Sequence, residues 1–268
     1  MRAVDRLALT ASSERTRARA FEFQRRTLEL VSEEMRPIEA GWLIRKPALP
    51  LVWNLNEVRV TRPIDYTEAL RLADEHLGEL PYRQLVVEDQ PSGWRLEAAF
   101  RADGWRVERE VTMALVRGPD REVDTDHVRE AGEDDALALM ARWADEDMVA
   151  ESPEATGQLA EFNRLAWRAR GAGRFGVTGA GGALAAITML FSDGSTAQVE
   201  DVYTVPEERG HGFARALVTH AAALARNTGH ELTFIVADDN DWPRELYGRI
   251  GFEPIGHAWL FHRGPDAG

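Results

Sequence analysis

The segment that most constrains this chain runs from 202 to 217 and reads Val202-Tyr203-Thr204-Val205-Pro206-Glu207-Glu208-Arg209-Gly210-His211-Gly212-Phe213-Ala214-Arg215-Ala216-Leu217. A strand stops at Pro206, a loop with two glycines follows, and helical spacing begins at Phe213. Consecutive backbone N–H groups at a helix N-terminus form a positive concavity that holds phosphate, and glycines let an anion reach the main chain. The junction reads as a pyrophosphate cradle. It lacks the Lys-Ser/Thr ending of a Walker loop, which argues against a magnesium-nucleotide site.

Charge and cysteine content narrow the chemistry further. With 45 acidic against 32 basic side chains the formal charge of the 268 residues is −13, the wrong sign for neutralising the phosphates of a nucleic acid. There is no cysteine, so disulfides, thiolate metal sites and thiol nucleophiles are all excluded. Lys46 is the only lysine, which confines Schiff-base chemistry to one position. The apolar run at 7–11 is too short and too soon charged for a signal peptide, and no stretch approaches the roughly 18–20 apolar residues of a membrane span. The expectation is a cytoplasmic protein with neither membrane nor nucleic-acid partners. At 44% apolar the chain has enough material for compact cores, and its length suits one large domain or two smaller ones.

The charge is unevenly distributed. Residues 1–120 hold 19 basic and 20 acidic groups, whereas 121–268 hold 13 and 25. A Gly-Pro step with flanking charges at 117–124 marks a linker, which predicts domains at 1–120 and 121–268. In the first, periodicity predicts a helix over 16–35 ended by Pro37, strands over 41–44 and 51–60, a helix over 65–77, a strand over 83–88, a short helix over 93–101 and a long strand over 104–116. In the second it predicts a short strand at 128–130, helices over 133–144 and 158–170, and three strands over 173–178, 183–191 and 196–205. A helix over 213–228, a strand over 232–237, a helix over 242–250 and a strand pair around 252–262 follow. The glycines at 179–182 precede a strand instead of opening a helix, so they read as a hairpin turn. Interleaved helices and strands indicate an α/β or α+β sheet.

Arg209-Gly210-His211-Gly212-Phe213-Ala214 resembles the Gln/Arg-x-x-Gly-x-Gly/Ala acyl-CoA motif of the GNAT (Gcn5-related) N-acetyltransferases. Asp239-Asn240 closes the next strand, and Leu246-Tyr247-Gly248-Arg249-Ile250-Gly251-Phe252 is similar to that family's Leu-Tyr-x-x-x-Gly-Phe. The likeness covers about residues 126–263. It implies the GNAT fold, a mixed, mostly antiparallel sheet flanked by helices, and an acyltransferase using acetyl-CoA as co-substrate. It further implies that the diphosphate lies on the amides of Gly210, His211, Gly212, Phe213, Ala214 and Arg215, next to Arg209, and that pantetheine pairs with the backbone of Val202, Tyr203 and Thr204. Asn240 falls at a polar contact to pantetheine, and Tyr247 where an acid protonates the departing CoA thiolate. The chemistry implied is direct attack by an amine on the acetyl thioester. Taken alone, Tyr247 also reads as a packed core aromatic.

An alkyl amine with a pKa near ~10.4 must lose a proton before it attacks, so a base is needed. Strand alternation over 196–205 puts Glu200 on one face with Val202 and Thr204, and Asp201 on the other with Tyr203. Glu200 is the first candidate base and Asp201 the second; both could equally bind arginines or cap turns. The histidines show no paired metal spacing, and no metal is expected. The first half has no cradle, yet its ending mimics that of the second: Arg101-Ala102-Asp103-Gly104-Trp105 lies beside Gly248-Arg249-Ile250-Gly251-Phe252. It is expected to be a degenerate, silent copy in a tandem arrangement that walls the acceptor cleft or pairs chains in a homodimer; the alternative is an unrelated α+β extension. Asp145, Glu146, Asp147, Glu151, Glu154 and Glu161 form an acidic stretch that would draw a cationic acceptor, a small molecule or a peptide amine, or would simply be solvated. A non-catalytic acyl-CoA sensor or interaction module is the second functional reading.

Overall fold

Ala20, Phe23, Leu28 and Val31 recur on one face of the first helix, α1 (Ala11–Val31), and that face is buried in the core. The structure is a computed structural model and describes residues 11–146 and 152–264. At 21 residues α1 is roughly 30 Å long, enough to lie along most of a sheet face. The helix stops before the expected 35, because residues 34–38 form an edge strand, β1 (Glu34–Ile38), paired with β2 (Gly41–Arg45). Pro37 fits there, since an edge strand does not need its missing N–H. The expected strand over 51–60 is also shorter. Only β3 (Glu57–Val60) is extended, and Trp53–Leu55 is a 3-10 turn held by the Asn56 side chain, whose Nδ2 donates to the carbonyls of Leu49 at 2.9 Å and Val52 at 3.0 Å. The first half continues with α2 (Tyr66–Leu77), β4 (Arg83–Val87), α3 (Gln90–Ala102) and β5 (Arg106–Leu115).

The second half begins with the two-residue β6 (Arg129–Glu130), α4 (Glu133–Glu146) and α5 (Pro153–Ala169). A meander of β7 (Gly173–Thr178), β8 (Leu184–Ser192) and β9 (Thr196–Thr204) follows, its first turn made at the 179–182 glycines as expected. Then come α6 (Phe213–Asn227), β10 (Leu232–Asp238), α7 (Pro243–Ile250) and β11 (Phe252–Arg263). The final segment is one strand of 12 residues with an irregularity between Pro254 and Gly256, where a strand pair was expected.

All eleven strands join one sheet in the order β1-β2-β3-β4-β11-β5-β10-β9-β8-β7-β6. The two halves repeat one plan. A meander (β1-β2-β3, β7-β8-β9) leads through a helix (α2, α6) to a strand parallel to the last of the meander (β4 to β3, β10 to β9), then a further helix (α3, α7) and a final strand. The final strands are interchanged. β11 lies between β4 and β5, and β5 lies between β11 and β10, so each half supplies the strand that continues the other's sheet. Helices α2, α3, α6 and α7 cover one face, with Leu43, Val58, Leu85, Val111, Val199 and Ile235 beneath them. Helices α1, α4 and α5 cover the other, over Ile44, Ile187, Phe191 and Phe234. The result is a three-layer α/β/α arrangement. The 117–124 connection is not loose. Arg117 N–H and Asp120 N–H donate to the carbonyls of Gly251 and Arg249, and Arg215 Nη1 reaches Asp120 at 2.8 Å. Gly251, at φ 119, is required there, because a Cβ would lie 2.3 Å from the Arg117 carbonyl oxygen. Among the described residues no helix is long and apolar enough to cross a membrane.

Candidate active site

Strand β9 departs from regular alternation at one residue. Met189 pairs with Glu200 and Ile187 with Tyr203, so three residues of β9 oppose two steps of β8, and Asp201 sits at φ 53. This is a β-bulge, and its loosened carbonyl at Glu200 accepts the Thr188 hydroxyl at 3.0 Å. The expected grouping of Glu200 with Val202 and Thr204 is therefore wrong. The extra residue turns Val202 to the α6 face beside Val199, while Glu200 and Asp201 both face the α4–α5 side. A single inserted residue inverts alternation beyond it, and composition alone does not announce one.

The two carboxyls line a cavity of about 270 Å³ between the sheet and helices α1, α4 and α5. Its floor crosses the sheet from Glu57 and Arg59 of β3 through Glu110 of β5 to Gln198 of β9, so both halves build it. Met140, Trp143, Phe162 and Phe191 supply apolar walls. The Gln198 side chain donates to Glu200, and Trp167 Nε1 donates to Asp201 Oδ2 at 3.2 Å. Burial, the neighbouring Asp201 charge and that of Glu110 push the Glu200 carboxyl well above its ordinary range. Burial raises Asp201 to about 6, against the Trp167 hydrogen bond, and burial raises Glu110 to about 7, against Arg59. Glu110 has no sequence signal of its own. Only the placing of β5 beside β10 brings it here.

β9 and β10 are parallel partners from Thr196/Leu232 to Val199/Ile235, and the pairing ends there. Beyond it β9 keeps β8 on one side as far as Thr204, so Val202, Tyr203 and Thr204 turn an unpaired backbone edge toward β10. The strands part next to the Glu200–Asp201 bulge. Just downstream, Gly210 and Gly212 stand at φ 86 and 84, with nothing within 4 Å of where a Cβ would be. Gly212 is the N-cap of α6, without a side-chain cap or an acid in the first turn, so the amides of Phe213, Ala214 and Arg215 are free of intrahelical partners. The Arg215 side chain is turned away to Asp120. Arg209 Nε donates to the Thr204 carbonyl at 3.1 Å and its Nη2 meets Glu146 at 3.2 Å, which fastens the loop to β9 and α4. His211 is exposed, with Nδ1 3.1 Å from the Glu208 carbonyl. Open space over left-handed glycines, free amides and an unsatisfied strand edge fit a diphosphate with an extended amide arm.

Tyr247 is buried on the α7 face, opposite the cavity, in edge-on contact with Phe252, and burial with the charge of Glu200 raises its hydroxyl. Carboxylates and phenol thus flank the parted strands from opposite sides. Asn240 is exposed, its N–H donating to Asp238 Oδ1 at 2.7 Å. The buried polar centre at this point is its neighbour. Asp239 binds Arg109 Nη2 at 2.5 Å and Arg244 Nη1 at 2.6 Å, with His257 Nε2 at 3.4 Å, and the contacts with His257 and Arg109 hold its carboxyl below its ordinary range against burial. Two of these three partners, Arg109 on β5 and His257 on β11, are distant in sequence, so local spacing gives no sign of the cluster.

Half of the acidic stretch is neutralised where it is described, and Asp145 and Glu154 form no salt bridge there. Glu146 meets Arg142 and Arg209, and Glu161 meets Arg164, while Asp147 and Glu151 lie outside the described residues. Three further acids without a salt bridge, Glu110, Glu200 and Asp201, line the cavity.

Fold and site together define a class: a sheet with one parted parallel strand pair, and a glycine loop that opens a helix beside it. Residues 137–252 match the Acetyltransferase (GNAT) family. No curated protein matches it. A conserved protein of unknown function from Staphylococcus epidermidis superposes with a TM-score of 0.65 at 14% identity, over 87% of this chain and 94% of the other. A GCN5-related N-acetyltransferase from Kribbella flavida gives 0.56 at 19% identity, over 91% and 94%. At such identities the likeness is one of fold.

Proposed function

We propose that the chain is an acetyl-CoA-dependent N-acetyltransferase acting on a primary amine bound in the carboxylate cavity. The observation that carries this reading is the parting of β9 from β10 after Val199/Ile235, between a free anion cradle and half-buried carboxyls. Arg209 and the amides from Gly210 to Arg215 hold the diphosphate, the backbone of Val202 to Thr204 pairs with the pantetheine arm, and Asn240 offers it a polar contact. When bound, the thioester supplies the acyl group. Glu200, with Asp201 beside it, takes a proton from the acceptor ammonium, directly or through water. A carboxyl whose affinity for protons is raised by burial accepts one from an amine more readily than an exposed one. The acceptor nitrogen then bonds to the acyl carbon as the carbon–sulfur bond breaks, the Tyr247 hydroxyl gives its proton to the departing sulfur, and the second proton that the nitrogen sheds on becoming an amide passes through water to restore the phenol.

Residues 1–120 are, on this reading, a degenerate second unit. Their β3 stays paired with β4 to its end, and Glu88 N–H still donates to the Val60 carbonyl at 2.9 Å, so no gap opens. The corresponding helix, α2, is capped by its own acid, since Asp65 accepts the Glu68 N–H. That carboxylate fills the place of an anion.

The test is release of CoA thiol from acetyl-CoA across a panel of amines, which a chain without cysteine does not obscure. Tyr247→Phe and Glu200→Gln are each expected to lower turnover by about 10²-fold while affinity for CoA stays within about twofold. CoA binding with no amine-dependent release would favour the sensor reading.

A further inference from the structure

Buried acids in this protein are as a rule matched by arginine. At one end of the cavity floor, Arg59 bonds Glu57 at 2.8 Å and Glu88 at 3.1 Å, and Arg25 bonds Glu88 at 2.5 Å, which leaves that network balanced. Three cavity carboxyls break the pattern. Glu110, Glu200 and Asp201 are half-buried and form no salt bridge among the described residues, and the arginine that lines the cavity with them, Arg59, is already held by Glu57 and Glu88. Desolvating a carboxylate without a counter-charge is costly, so three of them in one cavity describe a site for a cation. An independent observation points to a ligand as well. Asn163 of α5 lines the same cavity at 5% exposure, and its Nδ2 has no hydrogen-bond partner.

Register fixes how the acids are spread. Gln198 lies opposite Phe234 and Glu110 opposite Asp238, so Glu110 and Glu200 stand on either side of β10. Their backbones are two strand spacings apart, roughly 10 Å, and offset along the strands by about two residues, roughly 7 Å. Among the described residues no three acids or histidines converge closely enough to hold a metal ion. The matching ligand is an extended cation, and the cavity, at about 270 Å³, is smaller than a drug-sized site.

We infer that Glu110, supplied by the N-terminal half, completes the acceptor site, so that the acceptor is a small diamine with one nitrogen at Glu200 and Asp201 and its second ammonium on Glu110. This rests on the acetyltransferase reading for the reaction, and on the cavity alone for binding. Glu110 is a specificity-determining residue here; it does not touch the reacting nitrogen. The silent half then has a chemical duty, which is to select the charge of the acceptor.

The experiment compares cadaverine with pentylamine, equal in carbon number and differing in one ammonium, using the full chain and acetyl-CoA. Wild type is expected to favour cadaverine in kcat/KM by about tenfold or more, mainly through KM, since one charge-assisted contact is worth that much. Glu110→Gln should bring the ratio near one, and Glu110→Asp, which keeps the charge, should retain most of it. Equal use of the two amines by wild type, or an unchanged ratio in Glu110→Gln, overturns the inference and leaves the acetyltransferase reading intact. If no amine releases thiol, that reading falls, and thermal shift by cadaverine without donor decides the inference. A shift lost in Glu110→Gln supports it, and no shift overturns it.

Discussion

Asp201 shows how much one backbone angle does. Its φ of 53 lets two successive acids face one cavity, an arrangement a regular strand forbids. The consequence for stability has a definite sign. Burial raises the Asp201 carboxyl to about 6 in the folded chain, above its unfolded value, so the folded state holds more protons in that interval. The contribution is fully present below pH ~4 and is lost as pH rises through about 6. Asp201→Asn should therefore melt close to wild type at pH 4 and above it at pH 8. A melting difference that does not change with pH would contradict this. Activity should run the other way, with kcat/KM for an amine rising through about pH 6 to 7 as Asp201 and Glu110 ionise. Asp239 is the opposite kind of acid. Replacing it by Ala leaves half-buried Arg109 with only Glu97 at 3.6 Å as a counter-charge, and chemical denaturation should report a loss of about 3 kcal/mol.

The two crossover helices α2 and α6 occupy equivalent places in the two halves and differ at their first turn. α6 opens on Gly212 with bare amides, and α2 opens on Asp65 with Glu68 behind it. Asp65→Ala should cost about 1 kcal/mol of stability, read by denaturant titration, and should not create CoA binding in the first half, because β3 and β4 do not part. These elements were legible in the sequence. Helical periodicity, the Pro206–Phe213 junction and the glycine turns report on neighbours a few residues away, and each was found close to where periodicity put it. β1 was hidden because Pro37 reads as a helix stop, and a proline on a sheet edge looks the same in one dimension. The bulge at Asp201 and the approach of Glu110 were invisible for a different reason. Both are consequences of pairing, the first with β8 and the second with β10, and strand partners are not encoded in local spacing.

At the scale of the molecule, the interchange of β5 and β11 binds the halves into one sheet. Trp259 and Phe261 of β11 are fully buried against the first half's α3 and β4 side, under Leu96, Phe100 and Leu85. Separating the halves would expose both rings and leave six strand edges bare, on β4, β11, β5 and β10. Calorimetry should therefore show a single unfolding transition, and two resolved transitions would contradict the continuity of the sheet. Trp259→Ala should cost about 3–5 kcal/mol and lower the stability of both halves together. The carboxylate cavity depends on the same interchange, since Glu110 lines it with Glu200 only because β5 lies next to β10.

The central claim is that main-chain groups between Val202 and Arg215 hold a diphosphate and its amide arm, and calorimetric titration of CoA into wild type and Gly212→Val tests it most directly. Gly212 has room for a side chain but stands at φ 84, which a β-branched residue resists, so the variant must bend the loop and turn its amides away. The expected result is saturable binding to wild type and a loss of affinity of at least about tenfold in Gly212→Val, a penalty of roughly 1–3 kcal/mol. Equal affinity in the two proteins, or no binding to either, would contradict it.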